Sequence, residues 1–453
     1  MDFFPIIDWQ QTVQVDSEAA LQQAINTARN NDISTKIELQ GNILLTQSLT
    51  VPERARVYIT SGSGGPFTIN AGGQGFRVMT ILTHESPGFI TAVYFGNVIV
   101  KGGISTTDGG AVYSTGLGSA VVVLEQGAVF ENNTAVNGGA IGLTRGAVGV
   151  FGGQLHQNHA TRNGGAVFIR EGHTQPVYGA FYMATDYSMI IQNEADQDGG
   201  GVYVNSLHEV KITGGTIDSN IAGGAGGGLF TYLLSMDGGN ITDNRAVAGG
   251  GIYTANHADV IIDIAGYAHI LNNHAAGDEG GGGIYVREYH LQKLTVGPGV
   301  QFNGNTATRG FAARRPEHDA IYLANIHATA WSNAFIQGYN NFDIRYEGAP
   351  VPPIPGCSAE GEQMVDICLP VTITPHADVG QIASVCCGPA IITRGDNICM
   401  GVPNGNCNFT IRQRMCVRVP VDFSTNVNTG DPHILCTDEG CDNCEQLQMG
   451  GEI

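Results

Sequence analysis

The chain has 453 residues, a formal net charge of −20, 65 glycines and only 14% charged residues. That glycine content excludes a helical protein, since Gly costs about 1 kcal/mol against Ala inside a helix, and the acidic balance leaves no basic face for nucleic acid or anionic lipid. No apolar run approaches the ~18 residues of a membrane span, and "MDFFPIIDWQQ" lacks the basic start and long apolar core of a secretory signal.

The first predicted element is an amphipathic helix over 17–31, with Leu21, Ile25 and Ala28 on one stripe. It is expected to cap an exposed sheet end, because an unpaired edge invites aggregation. Short strands separated by Gly, Pro and polar corners then run through "KIELQGNILLTQSLTVPERARVYITSGS".

From 109 to 310 the chain repeats. An apolar residue followed three positions later by Asn recurs at Asn133, Asn158, Asn193, Asn220, Asn244, Asn273 and Asn305, each with Ala two residues further on. The intervals are 25, 35, 27, 24, 29 and 32 residues. A Gly pair followed by an apolar dipeptide alternates with it, from "GGAVY" at 109 to "GGGIY" at 281, and a third apolar stretch such as "EVKITGG" lies between the two. Three short strands per period without a helix predict an all-β fold, a right-handed single-stranded parallel β-helix over 1–348, with coils about 4.8 Å apart. The Gly pair supplies a corner with positive φ and close backbone approach. The Asn is expected to adopt left-handed geometry at another corner and to stack into an amide ladder.

Neighbouring strand residues face opposite sides. Val112, Ile141, Val167, Val202, Leu229, Ile252 and Ile284 therefore share one side, and Tyr113, Phe168, Tyr203, Phe230, Tyr253 and Tyr285 the other, with Gly142 as a gap. With the aliphatics inside, the aromatics form an outward ribbon suited to glycans or a neighbouring copy. The bland reading puts the aromatics in the core.

"ATAWSNAFIQGYNNFDIRYEG" (328–348) is expected to close the helix, and "APVPPIPG" (349–356) reads as a stiff linker. All ten cysteines follow: Cys357, Cys368, Cys386, Cys387, Cys399, Cys407, Cys416, Cys436, Cys441 and Cys444. Such density over 357–453 predicts a disulfide-stabilised β domain in an oxidising setting, able to join copies into a disulfide-linked homo-oligomer. Zinc is the rival reading, on the Cys441-x-x-Cys444 spacing alone. The stretch Phe409–Phe423 alternates as one half-buried strand, and Asn404-Gly405 upstream suits a hairpin turn.

Several tempting motifs have plainer readings. Arg394-Gly395-Asp396 spells an integrin-recognition tripeptide, but Gly-Asp is ordinary turn chemistry. "GDPH" at 430–433 is similar to a signature of von Willebrand type D domains and reads here as a turn before Cys436. His318, Asp319 and His327 read as surface or corner residues rather than a metal site.

The pairing of GGA[IVL] with FxxN resembles the passenger regions of chlamydial polymorphic membrane proteins, over Gly109 to Asn305. Gly-Gly-Gly replaces Gly-Gly-Ala in four copies, and Ile or Leu replaces Phe in five. The cysteine-rich end is similar in texture to disulfide-rich modules of spore-surface proteins. Both resemblances imply a non-catalytic structural or adhesive protein, extracellular or on a cell or spore surface, binding a surface glycan or protein or copies of itself.

The rival class is a carbohydrate-active β-helix enzyme, and a phage-type receptor-binding spike is a third reading. Hydrolases of that kind need two carboxylates some 6.5–9.5 Å apart, yet no two aspartates are adjacent in the chain. Asp108, Asp198, Asp237 and Asp278 precede Gly corners, as a lyase calcium cluster would require, but without a matching Arg ladder. No cofactor or metal is implied.

Overall fold

In the computed structural model the chain divides into two compact units, Met1–Pro352 and Pro353–Ile453. The structure describes Phe4 and residues 7–308, apart from short internal stretches of which the longest are 173–179 and 287–293; beyond 308 it describes only the backbone of strands between 344 and 435.

The first unit is a parallel β-helix. One coil illustrates the rest: Leu229–Thr231, Leu233–Met236, Asn240–Thr242 and Arg245–Ala248 are successive strands, and each pairs in parallel with its counterpart in the next coil. A coil thus holds four strand segments where three were expected. The additional one contains the recurring Ala and is only two residues long in most coils, as in Thr134–Ala135 and Ile221–Ala222, too short to carry a periodicity of its own.

The second segments, from Gln11–Val15 onward, and the first segments share one 20-stranded sheet, while the third and fourth build sheets of ten and seven strands. The two columns of the large sheet are fused by Ile141–Phe151, an 11-residue strand that serves as both segments of its coil. Ten strands at the usual spacing give the third column a length of about 43 Å.

Parallel coils hide one face of every strand, and the sequence fills it with aliphatics. Val112, Ile141, Val167, Val202, Leu229, Ile252 and Ile284 are fully buried in one continuous core. The apolar residue three before each Asn makes the opposite wall, as Phe130, Leu155, Ile190, Ile217, Ile241, Ile270 and Phe302. The helix Glu18–Asn30 closes the first coil, with Leu21, Ile25 and Ala28 in that core. Ser17 caps it, accepting from the Leu21 N–H at 2.9 Å and, through Oγ, from the Ala20 N–H.

The left-handed corner does not fall on the recurring Asn. It falls one residue earlier, on Asn132, Gln157, Gln192, Ser219, Asp243 and Asn272, all with φ between 53° and 55°, and on Gly304 at 67°. The reason is that a strained backbone here turns the following residue's side chain inward, where an amide has partners. At the Gly corner the first glycine has positive φ, from 61° at Gly138 and Gly249 to 74° at Gly281. The second is a close approach: a Cβ on Gly139 would meet Gly165 O at 2.3 Å and the His159 N and O at 2.6 Å.

Of the segment expected to close the helix, Ile344–Arg345 is described, paired with Ile284–Tyr285; the remainder of 328–348 lies outside the described residues, as does the linker.

The second unit is antiparallel. Asp366–Cys368 pairs with His433–Leu435, Val371–Val379 with Val421–Thr429, Ala383–Cys386 with Met415–Arg418, and Ile391–Arg394 with Phe409–Arg412. The single strand expected over Phe409–Phe423 is therefore three segments. Pro420, which has no N–H for a ladder, lies between the second and third, and Gln413, which interrupts the apolar alternation, lies between the first and second. The Asn404-Gly405 turn lies outside the described residues.

Candidate functional site

The recurring asparagines form a column inside the first unit, each at most 1% exposed. Nδ2 of Asn133, Asn158, Asn193, Asn220, Asn244 and Asn273 donates to Oδ1 of the next Asn, every distance being 3.0 Å. The backbone N–H of each donates to that same Oδ1 at 2.9–3.1 Å. The second Nδ2 hydrogen reaches a carbonyl of the preceding coil, as from Asn220 to Ile190 O at 2.8 Å. An amide supplies both donors and acceptor in one planar group, so a column of them satisfies itself without water. At the start of the ladder Gly103 N–H donates to Asn133 Oδ1 at 3.0 Å.

A second polar column stands directly before the Gly pair. Asn137 Nδ2 donates to Asp108 Oδ1 at 2.7 Å, the Asn163 and Asp198 N–H groups donate to Asn137 Oδ1 and Asn163 Oδ1 at 3.2 Å, and the Ala225 N–H donates to Asp198 Oδ1 at 2.7 Å. Sequence reasoning missed it, although Asp or Asn precedes the glycines in four copies. Two of the four aspartates weighed as a lyase cluster belong here; Asp237 follows Leu233–Met236 at another corner. Asp198 and Asp108 are thus committed to backbone and side-chain donors rather than grouped. Burial raises the Asp198 carboxyl above its ordinary range, against the Ala225 N–H, which lowers it. Asp108 also pairs with Arg170 at 3.0 Å.

The aromatics lie on the face opposite the aliphatic core. Phe168, Tyr203, Phe230, Tyr253 and Tyr285 stack on one another at centroid distances of 5.5, 4.4, 5.2 and 4.7 Å, with interplanar angles of 16°, 22°, 20° and 5°. Their ring faces are occupied by their neighbours. Phe168, Phe230 and Tyr285 are buried, Tyr203 and Tyr253 half-buried, and burial, together with the charges of Tyr232 and Asp198, pushes the Tyr203 hydroxyl up to about 12. The aromatic ribbon expected on the outer face is thus a column whose rings stack on one another. Tyr113 stands apart across the Gly142 gap, under the Arg77 guanidinium at 4.6 Å.

Of the remaining candidates, Arg394 ends a strand whose side chains are not described, and Gly395, Asp396, His318, Asp319 and His327 lie outside the described residues. The side chains of all ten cysteines do so too, and with them both the disulfide and the zinc readings. His159, Glu194 and Asp196 bring one ligand atom each within 4.8 Å of one another on the outer surface, where His159 Nε2 already pairs with Asp196 Oδ1 at 2.9 Å. No helix among the described residues is long and apolar enough to cross a membrane.

Comparison with family models, with curated proteins and with solved structures finds no match for this chain.

Proposed function

We propose that this protein is a non-catalytic structural or adhesive component of a cell or spore surface, its β-helix acting as a rigid spacer and its cysteine-rich unit joining copies to one another or to a surface layer. The single observation that supports this reading is the uninterrupted amide column. From Asn133 to Asn305 the buried Asn amides are spent on holding coil to coil, and such a column gives stiffness and no reacting group. The second polar column and the stacked aromatics act in the same direction, since carboxylates and rings of the kind a carbohydrate-active site would use are here engaged with their own neighbours.

Ten cysteines within Cys357–Cys444 supply the joining chemistry. The test is electrophoresis of material from its native source, with and without reductant, after labelling intact cells or spores with a membrane-impermeant reagent. Labelled, high-mass species that collapse to the 47.6 kDa chain on reduction are expected. An unlabelled chain that runs as a monomer without reductant would overturn the reading.

A further inference from the structure

The fourth strand column brings three ligand-bearing side chains together on its outer face. His159–Ala160 and Glu194–Ala195 are adjacent strands of the seven-stranded sheet, His159 facing Glu194 in register while Ala160 and Ala195 turn inward. Asp196 follows Glu194 by two positions and so stands on the same outward face. In the remaining coils the His159 position is held by Thr134, Ile221, Arg245, His274 and Thr306. Among the described residues no other three His, Cys, Asp or Glu side chains converge as these do.

One ligand atom from each lies within 4.8 Å of the other two, and His159 Nε2 stands 2.9 Å from Asp196 Oδ1. Donors around a tetrahedral zinc ion are about 3.4 Å apart, so rotation of side-chain bonds alone gathers the set. The backbone beneath is already fixed. The His159 N–H donates to Asn133 O at 2.9 Å, the Glu194 N–H to Asn158 O at 3.0 Å and the Asp196 N–H to Ala160 O at 2.9 Å. Asn158 and Asn193, which immediately precede His159 and Glu194, are joined in the amide ladder at 3.0 Å, so the ligands sit on rigid elements. Charge points the same way. Among the described residues neither carboxylate forms an ion pair with Lys or Arg, and Arg162 reaches Gln197 Oε1 at 3.4 Å instead. A protonated His159 offsets one of the two negative charges; a dipositive ion beside a neutral imidazole offsets both.

We infer that His159, Glu194 and Asp196 bind a divalent transition-metal ion of the zinc class, with water completing its coordination. The donor types select the ion. Calcium and magnesium take oxygen ligands, whereas one imidazole nitrogen with two carboxylates suits zinc and its neighbours. Access is open, since His159 and Asp196 are 37% and 51% exposed and Gly223, the counterpart of Asp196 in the next coil, carries no side chain to cover it. The bound ion clamps the two coils from outside, as the Asn158 and Asn193 amides do from within.

The experiment uses the full chain and diethyl pyrocarbonate, which modifies accessible imidazoles, with peptide mapping to read each histidine apart from any ion held by the cysteines. His274 is the internal control, because it shares the outward face but has Arg245 and Thr306 as its partners in register. Zinc in excess of its dissociation constant should slow modification of His159 about tenfold or more, leave His274 unchanged, and be without effect on His159 in the Glu194→Gln/Asp196→Asn chain of native dichroism. Calcium should not protect. Equal slowing at the two histidines, protection that survives in the double variant, or protection by calcium and not zinc would overturn the proposal. Should His159 not react in the metal-free chain, or the double variant lose its dichroism, isothermal titration of the parent against His159→Gln decides. The parent must then take up one more equivalent of zinc, and equal uptake overturns the site. Failure here leaves the proposed surface role intact, because that role is read from disulfide-linked species.

Discussion

Asn220 Nδ2 donates to Asn244 Oδ1 at 3.0 Å across a coil boundary, while the Asn220 backbone N–H donates to the same oxygen at 2.9 Å. One acceptor thereby fixes both the side chain and the main chain of its neighbour. The coils from Asn133 to Asn305 can be understood as repetitions of this pair, with the Gly corner allowing them to close up beside it.

Loss of one rung should be costly. Asn220→Ala strands the Asn193 N–H and Nδ2 donors as well as Ile190 O, all buried, so a destabilisation of about 3–5 kcal/mol is expected in chemical denaturation. Asn220→Asp should be at least as harmful, because its carboxylate faces Asn244 Oδ1 with no hydrogen to give.

Glycine should matter by place rather than by count. Gly139→Ala drives a methyl into Gly165 O and the His159 backbone, and about 3 kcal/mol or more should be lost. At Gly41 a Cβ meets nothing within 4 Å, so Gly41→Ala should move the midpoint by no more than about 0.5 kcal/mol.

The fold was legible because its constraint is columnar: seven Asn and seven Gly pairs must recur wherever coils align, whatever the lengths of the loops between. The left-handed residue was not legible, since Asn, Gln, Ser, Asp and Gly all occupy it and only its neighbour is fixed. Alternation placed Tyr203 and Leu229 on opposite faces but said nothing of ring orientation, which depends on contacts from coil to coil. The second polar column was written at Asp108, Asn137, Asn163 and Asp198 and then lapses to Ala225 and Ala248, hiding the pattern.

The aromatic stack should show in a tyrosine titration. Burial raises the folded Tyr203 value to about 12 against an ordinary 10, so the neutral phenol is the form the fold prefers. Its contribution to stability is fully present below pH 10 and lost as pH rises through about 12. Absorbance at alkaline pH should resolve a late-ionising phenol that Tyr203→Phe removes, with parent and variant differing mainly above pH 11; a difference already complete below pH 11 would count against the stack.

Asp198 shows the same preference for a neutral group. Its folded value is raised, so the protonated form suits the site, and stability falls as pH climbs through that value. Asp198→Asn keeps the acceptor for Ala225 and should stabilise the protein slightly at pH 7, with the gain fading in acid denaturation profiles.

The register of the coils is tested most directly by engineered cross-linking of the full chain. Thr216 and Asn240 are partners in adjacent coils, within the Cα range a disulfide requires, whereas Thr216 and Thr242 are two residues out of register. Oxidation followed by peptide mapping should find the 216–240 link in Thr216→Cys/Asn240→Cys and little or none in Thr216→Cys/Thr242→Cys. Absence of the first link, or equal formation of the second, would contradict the stacked-coil account.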